Sequence, residues 1–196
     1  MFSALVQDVI GGVTAILTVV CYIPYALDMK RGRTRPHVFS WIIWGLVNVI
    51  VFAAQLSDGA GPGAWATGFL ALADLLIAAV AVKRSENKIT RSDWVAFIAG
   101  LLAIPFWYFT GEALLAVIFA ITVDAFAYYP TFRKSFAKPH EETLSTYVIY
   151  SLTFFLALFA LERVTWVTAL FPLYMAVVNF LVVSMVLWRR RVLSPA

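Results

Sequence analysis

The chain has 196 residues, of which 62% are apolar and 13% charged, with a mean hydropathy of +0.86. Soluble domains carry about one-quarter charged residues, so this composition excludes a soluble fold and predicts an integral membrane protein. The net charge of +4 comes from 15 basic against 11 acidic residues, and it reads as topology determinants meeting anionic lipid headgroups rather than as a nucleic-acid surface.

A transmembrane helix needs about 20 mostly apolar residues. Seven runs meet that standard, near residues 9–27, 38–56, 65–82, 94–110, 112–131, 144–161 and 166–187. They are apolar on every face and longer than the roughly 10-residue strands of a membrane barrel, which predicts helices. The first run has no basic flank before it and no small-residue cleavage site after it, so it is expected to stay in the protein. It carries Cys21, the single cysteine, which excludes an internal disulfide, and Pro24 near its end. Lys30, Arg31, Arg33 and Arg35 follow it.

The second run opens with Trp41 and Trp44 and carries Asn48 at mid-span; "SDGAGPGAW" turns into the third run, which holds Asp74 near its middle. The link "KRSENKITRSD" contains Lys83, Arg84, Lys88 and Arg91 and leads into the fourth run. Asp124 and Pro130 lie in the fifth, followed by Arg133, Lys134 and Lys138. Tyr147 and Tyr150 lie in the sixth, Arg163 follows it, and Pro172 and Asn179 lie in the seventh, ahead of Arg189, Arg190 and Arg191. All these basic residues except Arg163 fall on one side, so the positive-inside rule predicts an amino terminus outside and a cytoplasmic carboxyl terminus. Trp65, Trp94, Trp166 and Trp188 sit at run ends, where indole favours the interface. All ten glycines fall at or before position 111, so the second half is expected to be stiffer, bending through Pro130 and Pro172.

Two stretches repeat. "YIPYALDMKRGRTRPHVFSWIIW" and "AYYPTFRKSFAKPHEETLSTYVIY" align Pro24 with Pro130, Arg35-Pro36-His37 with Lys138-Pro139-His140, and Trp41 and Trp44 with Tyr147 and Tyr150. The offset is 106 residues at both flanks and carries Asp74 to within one position of Asn179. The chain therefore divides into a first three-helix bundle at 1–84, a connector helix at 85–111 and a second three-helix bundle with a basic tail at 112–196. A three-helix unit ends on the side opposite its start, so a single connector lets both copies insert in the same sense, as parallel repeats.

The proline near the end of the first helix of each unit, the Arg33-Thr34 pair of "RGRT" and the Ser40-Trp41 of "FSWIIW" resemble the PQ-loop and SWEET-like transporters. Tyr25 and Thr131 stand where that family has a glutamine after the proline. The resemblance implies a 3+1+3 carrier that moves a small solute by alternating access, with the solute enclosed between two bundles and Pro24 and Pro130 as hinges. Proline in a helix removes one backbone hydrogen bond and crowds the carbonyl four residues back, here those of Val20 and Phe126. In the family an asparagine in the last helix of a unit binds substrate hydroxyls. Asn179 matches that position and Asp74 replaces its counterpart, a pairing suited to an amine-bearing or proton-coupled solute.

Carboxylates are costly at bilayer depth and there mark cavities or partners. Every Lys, Arg and His lies at or beyond a run end, so Asp74 and Asp124 have no basic residue at their depth. Both are candidates for receiving a coupling proton or a cationic solute, and an anionic solute is disfavoured. Asn48 reads first as an interhelical hydrogen-bonder and second as a substrate contact. Trp44 and Tyr150 are candidate stacking surfaces.

The last run has no lysine for a retinal Schiff base, and neither "LADLL" nor "TVDAF" has the glycine context of an intramembrane aspartyl protease. His37 and His140 lack supporting metal ligands. KDEL receptors resemble this plan but capture a peptide carboxylate with cavity cations that this sequence lacks, which leaves a non-transporting receptor or ligand-binding protein as the alternative function. Vitamin carriers of the PnuC type look similar and take a cationic solute. The expectation is a non-enzymatic transporter for a small polar neutral or cationic solute, such as a sugar, amino acid or vitamin-like compound, in a bacterial plasma (inner) membrane. Its expected partners are that solute and membrane lipid, with no cofactor, metal or nucleic acid; a homo-oligomer is left open.

Overall fold

The structure is a computed structural model that describes residues 2–31, 38–82, 94, 98, 102, 105, 109–137, 139–141 and 144–193. Six α-helices are bounded within them: α1 (Ala4–Lys30), α2 (Val38–Ser57), α3 (Trp65–Val82), α4 (Ala113–Ala137), α5 (Leu144–Ala157) and α6 (Trp166–Val192). Trp94, Ile98, Leu102, Pro105, Phe109 and Thr110, in the fourth apolar run, are helical as well, which brings the helical segments to seven. No strand occurs among the described residues. The residues from 32 to 37 and from 83 to 93, which include Arg33, Arg35, His37, Lys83, Arg84, Lys88 and Arg91, lie outside the described set, as does Lys138.

Helix is the local solution for these runs because a chain in hydrocarbon must satisfy its backbone groups internally. Three helical stretches are long and apolar enough to cross a membrane: Ala4–Leu27, Gly61–Val82 and Trp166–Val192. Trp41–Ser57, Ala113–Phe126 and Leu144–Ala160 are shorter apolar helices. Helices outrun the apolar stretches at several ends. α1 continues through Pro24 to Lys30, and α4 continues through position 130 to Ala137. Thr165 and Thr168 close a reciprocal capping box at the start of α6, and Arg189, Arg190 and Arg191 occupy its last turn, where cations complement the helix dipole.

Both halves pack alike. α3 lies against α1 and α2, and α6 lies against α4 and α5; the halves meet where α1 packs on α5 and α2 on α4. Small residues permit the close approaches inside a half. A Cβ on Gly45 of α2 would come within 2.6 Å of the Leu75 side chain of α3, and one on Gly68 of α3 within 2.8 Å of the Phe52 ring. The shared core contains Val51, Ala54, Ala66, Val117, Phe154 and Phe171. Large apolar residues such as Ile16, Leu76, Phe126 and Phe180 are exposed on the outside, as a lipid-facing surface requires, and Trp65, Trp94, Trp166 and Trp188 are exposed too.

At the end where α2 turns into α3 and α5 into α6, the halves are tied together. Gln7 Nε2 of α1 donates to the Leu161 carbonyl at 2.7 Å, and Gln55 Nε2 of α2 donates to the Thr168 carbonyl at 3.1 Å. The Glu162 amide donates to the Ala60 carbonyl at 3.1 Å. Asp58 accepts from Arg163 at 3.2 Å and from the Thr165 hydroxyl. The Leu161 backbone nitrogen sits 2.8 Å from where a Cβ on Gly63 would be, and the Pro62 carbonyl oxygen 2.8 Å from a Cβ on Gly11. Glycine is what lets those segments touch.

Candidate functional site

Above that sealed end lies a cavity of about 440 Å³ between the two halves, within the range of small-molecule pockets. Its walls come from the last third of α1 (Cys21, Tyr22, Pro24 and Tyr25), the first half of α2 (Trp41, Trp44 and Asn48), and Leu70 and Asp74 of α3. The other half supplies Asp124 and Tyr128 of α4, Thr146, Tyr147 and Tyr150 of α5, and Phe171 and Met175 of α6. The cavity thus sits toward the α1–α2 connection, while Phe154 and Phe171, edge to face at a ring separation of 6.0 Å, pack in the core beside it.

Asp74 is 2% exposed and both its oxygens are engaged. Oδ1 accepts from the Tyr22 hydroxyl, and Oδ2 accepts from Asn48 Nδ2 at 2.8 Å. Three helices of the first half therefore converge on one carboxyl group. Asp124 reaches the same cavity from the other half, and its Oδ2 accepts from the Tyr174 hydroxyl of α6 at 2.9 Å. No lysine, arginine or histidine is among the described residues that line the cavity.

The predicted residues divide clearly. Asp74, Asn48, Trp44, Tyr150, Asp124 and Pro24 all line the one cavity. Asn179 does not: it is fully buried, its Nδ2 donates to the Met175 carbonyl at 2.7 Å, and its Oδ1 accepts from the Tyr128 hydroxyl at 3.2 Å. Its link to the cavity runs through Tyr128. Position 130 lies inside α4, and the Pro130 side chain is outside what the structure describes.

Three tyrosines escape the sequence reading. Tyr22, Tyr128 and Tyr174 hold Asp74, Asn179 and Asp124, respectively. Two of them had a signal. Tyr22 and Tyr128 are 106 residues apart, each two places before its proline, and Tyr22–Asp74 and Tyr128–Asn179 are corresponding contacts in the two similarly packed halves. Tyr174 has no such marker. The wall also carries an aromatic chain: Trp41 packs 4.9 Å from Tyr25, 5.3 Å from Trp44 edge to face, and 6.1 Å from Tyr22, which in turn lies 6.3 Å from Tyr150 across the halves.

No protein-family model, no curated protein and no solved structure matches this chain.

Proposed function

We propose that this protein is a membrane transporter that moves a small polar neutral or cationic solute by alternating access, on a 3+1+3 plan of two parallel three-helix bundles. In this reading the connector is the fourth helical segment, the amino terminus is outside, the basic loops and carboxyl terminus are cytoplasmic, and the membrane is a bacterial plasma membrane. The observation that carries it is a largely aromatic cavity, entered by Asp74 and Asp124, between two similarly packed halves, accompanied by hydrogen bonds that join those halves at one end. A solute held there touches both halves, so its binding energy can bias their relative position, which is the requirement for a ligand to shift a conformational equilibrium. Pro24 lines the cavity and serves as a hinge, with Pro130 as its counterpart. Asp74 and Asp124 are the groups that either exchange a coupling proton or receive a cationic solute.

The test is a thermal-shift screen of amines, sugars and nucleosides on the purified protein, repeated with Asp74→Asn and Asp124→Asn, because a ligand that binds only the folded state stabilises it by mass action. Hits then go into counterflow in proteoliposomes. Stabilisation that disappears in both variants, together with flux, supports the carrier. Stabilisation without flux leaves a ligand-binding receptor on the same scaffold.

A further inference from the structure

The cavity has an unusual balance. Two carboxyl groups enter it from opposite halves, no basic group lines it among the described residues, and much of the remaining wall is aromatic, with Tyr25, Trp41, Trp44 and Tyr150 prominent. Among the described residues a ligand carboxylate would meet two acids and no counter-charge, so acids and zwitterions such as free amino acids are poorly matched. A sugar would use hydrogen-bonding groups, yet three of the four aspartate oxygens already accept from Tyr22, Asn48 and Tyr174. A bare metal ion needs a shell of oxygen, nitrogen or sulfur ligands, and no group of three His, Cys, Asp or Glu side chains assembles among the described residues. What remains well matched is a cation that needs no hydrogen bonds of its own and is stabilised by ring faces.

We propose that the solute is an organic cation lacking a carboxylate, an alkylated ammonium or an N-alkylated heteroaromatic ring. Its charge lies between Asp74 and Asp124, and its apolar groups lie against Trp41, Trp44 and Tyr150. The inference rests on the carrier reading only for the location of its site. The two carboxylates supply long-range attraction and the rings supply contact, and a cation spanning both halves draws them together.

Cys21 is the single cysteine and lines the cavity, so the native protein carries its own reporter. The experiment measures the modification rate of Cys21 in detergent by two methanethiosulfonate reagents of similar size, one bearing a trimethylammonium and one a sulfonate, each normalised to a free thiol in solution. The expected cation-to-anion ratio exceeds that of the free thiol. It falls about threefold in either Asp74→Asn or Asp124→Asn and about tenfold in the double variant, as expected for removing nearby charge in a low-dielectric site. A ratio equal to that of the free thiol, or one unmoved by both substitutions, overturns the proposal; because Cys21 is buried, the same ratio is also read at Thr146→Cys on the opposite wall in a Cys21→Ser background, and the same two outcomes there overturn it. In the second arm, choline slows modification more than its neutral carbon analogue dimethylbutanol or its carboxylate analogue betaine. Equal protection by all three, including none, overturns the assignment. Charge selectivity without flux in proteoliposomes would leave a cation receptor and sink the carrier reading alone. Flux of a neutral sugar without charge selectivity would do the reverse.

Discussion

Tyr22 of α1 donates its hydroxyl hydrogen to Asp74 of α3, and 106 residues later Tyr128 of α4 makes the equivalent bond to Asn179 of α6. The contact is repeated while the acceptor changes from an acid to an amide. In the first half the acceptor lines the cavity, and in the second it lies behind the tyrosine. A symmetric scaffold thus carries an asymmetric site.

Asp74 is also the junction that organises the first half. Asp74→Ala leaves the donors of Tyr22 and Asn48 without their acceptor, at a cost of about 1–3 kcal/mol for stranded buried polar groups. Asp74→Asn, which retains one acceptor oxygen, should melt at a higher temperature than Asp74→Ala. Adding Asn48→Ala to Asp74→Ala should cost less than the sum of the two single changes, because the second removes a donor already stranded. Melting curves of the four proteins in detergent check this; additive losses would contradict the pairing.

Asn179 is buried, accepts from the Tyr128 hydroxyl and donates to the Met175 carbonyl. Asn179→Leu and Tyr128→Phe should therefore lower the melting temperature by similar amounts and fail to add when combined. Asn179→Leu should also leave the charge selectivity of Cys21 modification unchanged. A large loss of selectivity in Asn179→Leu alone would return the asparagine to the binding wall.

Neighbouring glycines in α1 separate packing from flexibility. A Cβ at position 11 would meet the Pro62 carbonyl oxygen at 2.8 Å, whereas one at position 12 meets nothing within 4 Å. Gly11→Ala should destabilise by about 1–3 kcal/mol, as overpacking does, while Gly12→Ala should be neutral or stabilising because alanine is the better helix former by about 1 kcal/mol. Equal melting temperatures for the two variants would mean that α1 and the 61–64 turn do not pack this tightly.

Asp58 ties the halves at the sealed end. Its partner Arg163 has a side chain 66% exposed, and exposed pairs contribute about 0–1 kcal/mol, so Arg163→Ala should barely change stability. Asp58→Ala removes the acceptor of Thr165 as well and should favour opening at that end. With Cys21→Ser as background and a reporter cysteine at buried Ala66, Asp58→Ala should raise the rate of modification by a membrane-impermeant reagent several-fold. An unchanged rate would show that the Gln7, Gln55 and Glu162–Ala60 bonds hold the end shut without Asp58.

Local features of the sequence determine a good deal here. Hydropathy and length predict helices, because backbone groups in hydrocarbon have no other way to be satisfied. The 106-residue offset relates Pro24 to Pro130 and brings Asp74 to within one position of Asn179, and the absence of basic residues at mid-span isolates Asp74 and Asp124 as the groups demanding an explanation. The tertiary structure alone decides how each helix is rotated about its own axis. Runs that are apolar on every side give no stripe from which to read that rotation. It turns Asn48 onto Asp74 and Tyr174 onto Asp124, while Asn179, at matching depth, is buried behind Tyr128. The seal, too, is a matter of partners distant in sequence, since Gln7 and Leu161 or Asp58 and Arg163 meet only after both halves have packed. Depth in the membrane is a local property of the chain; facing the cavity is a relation between helices.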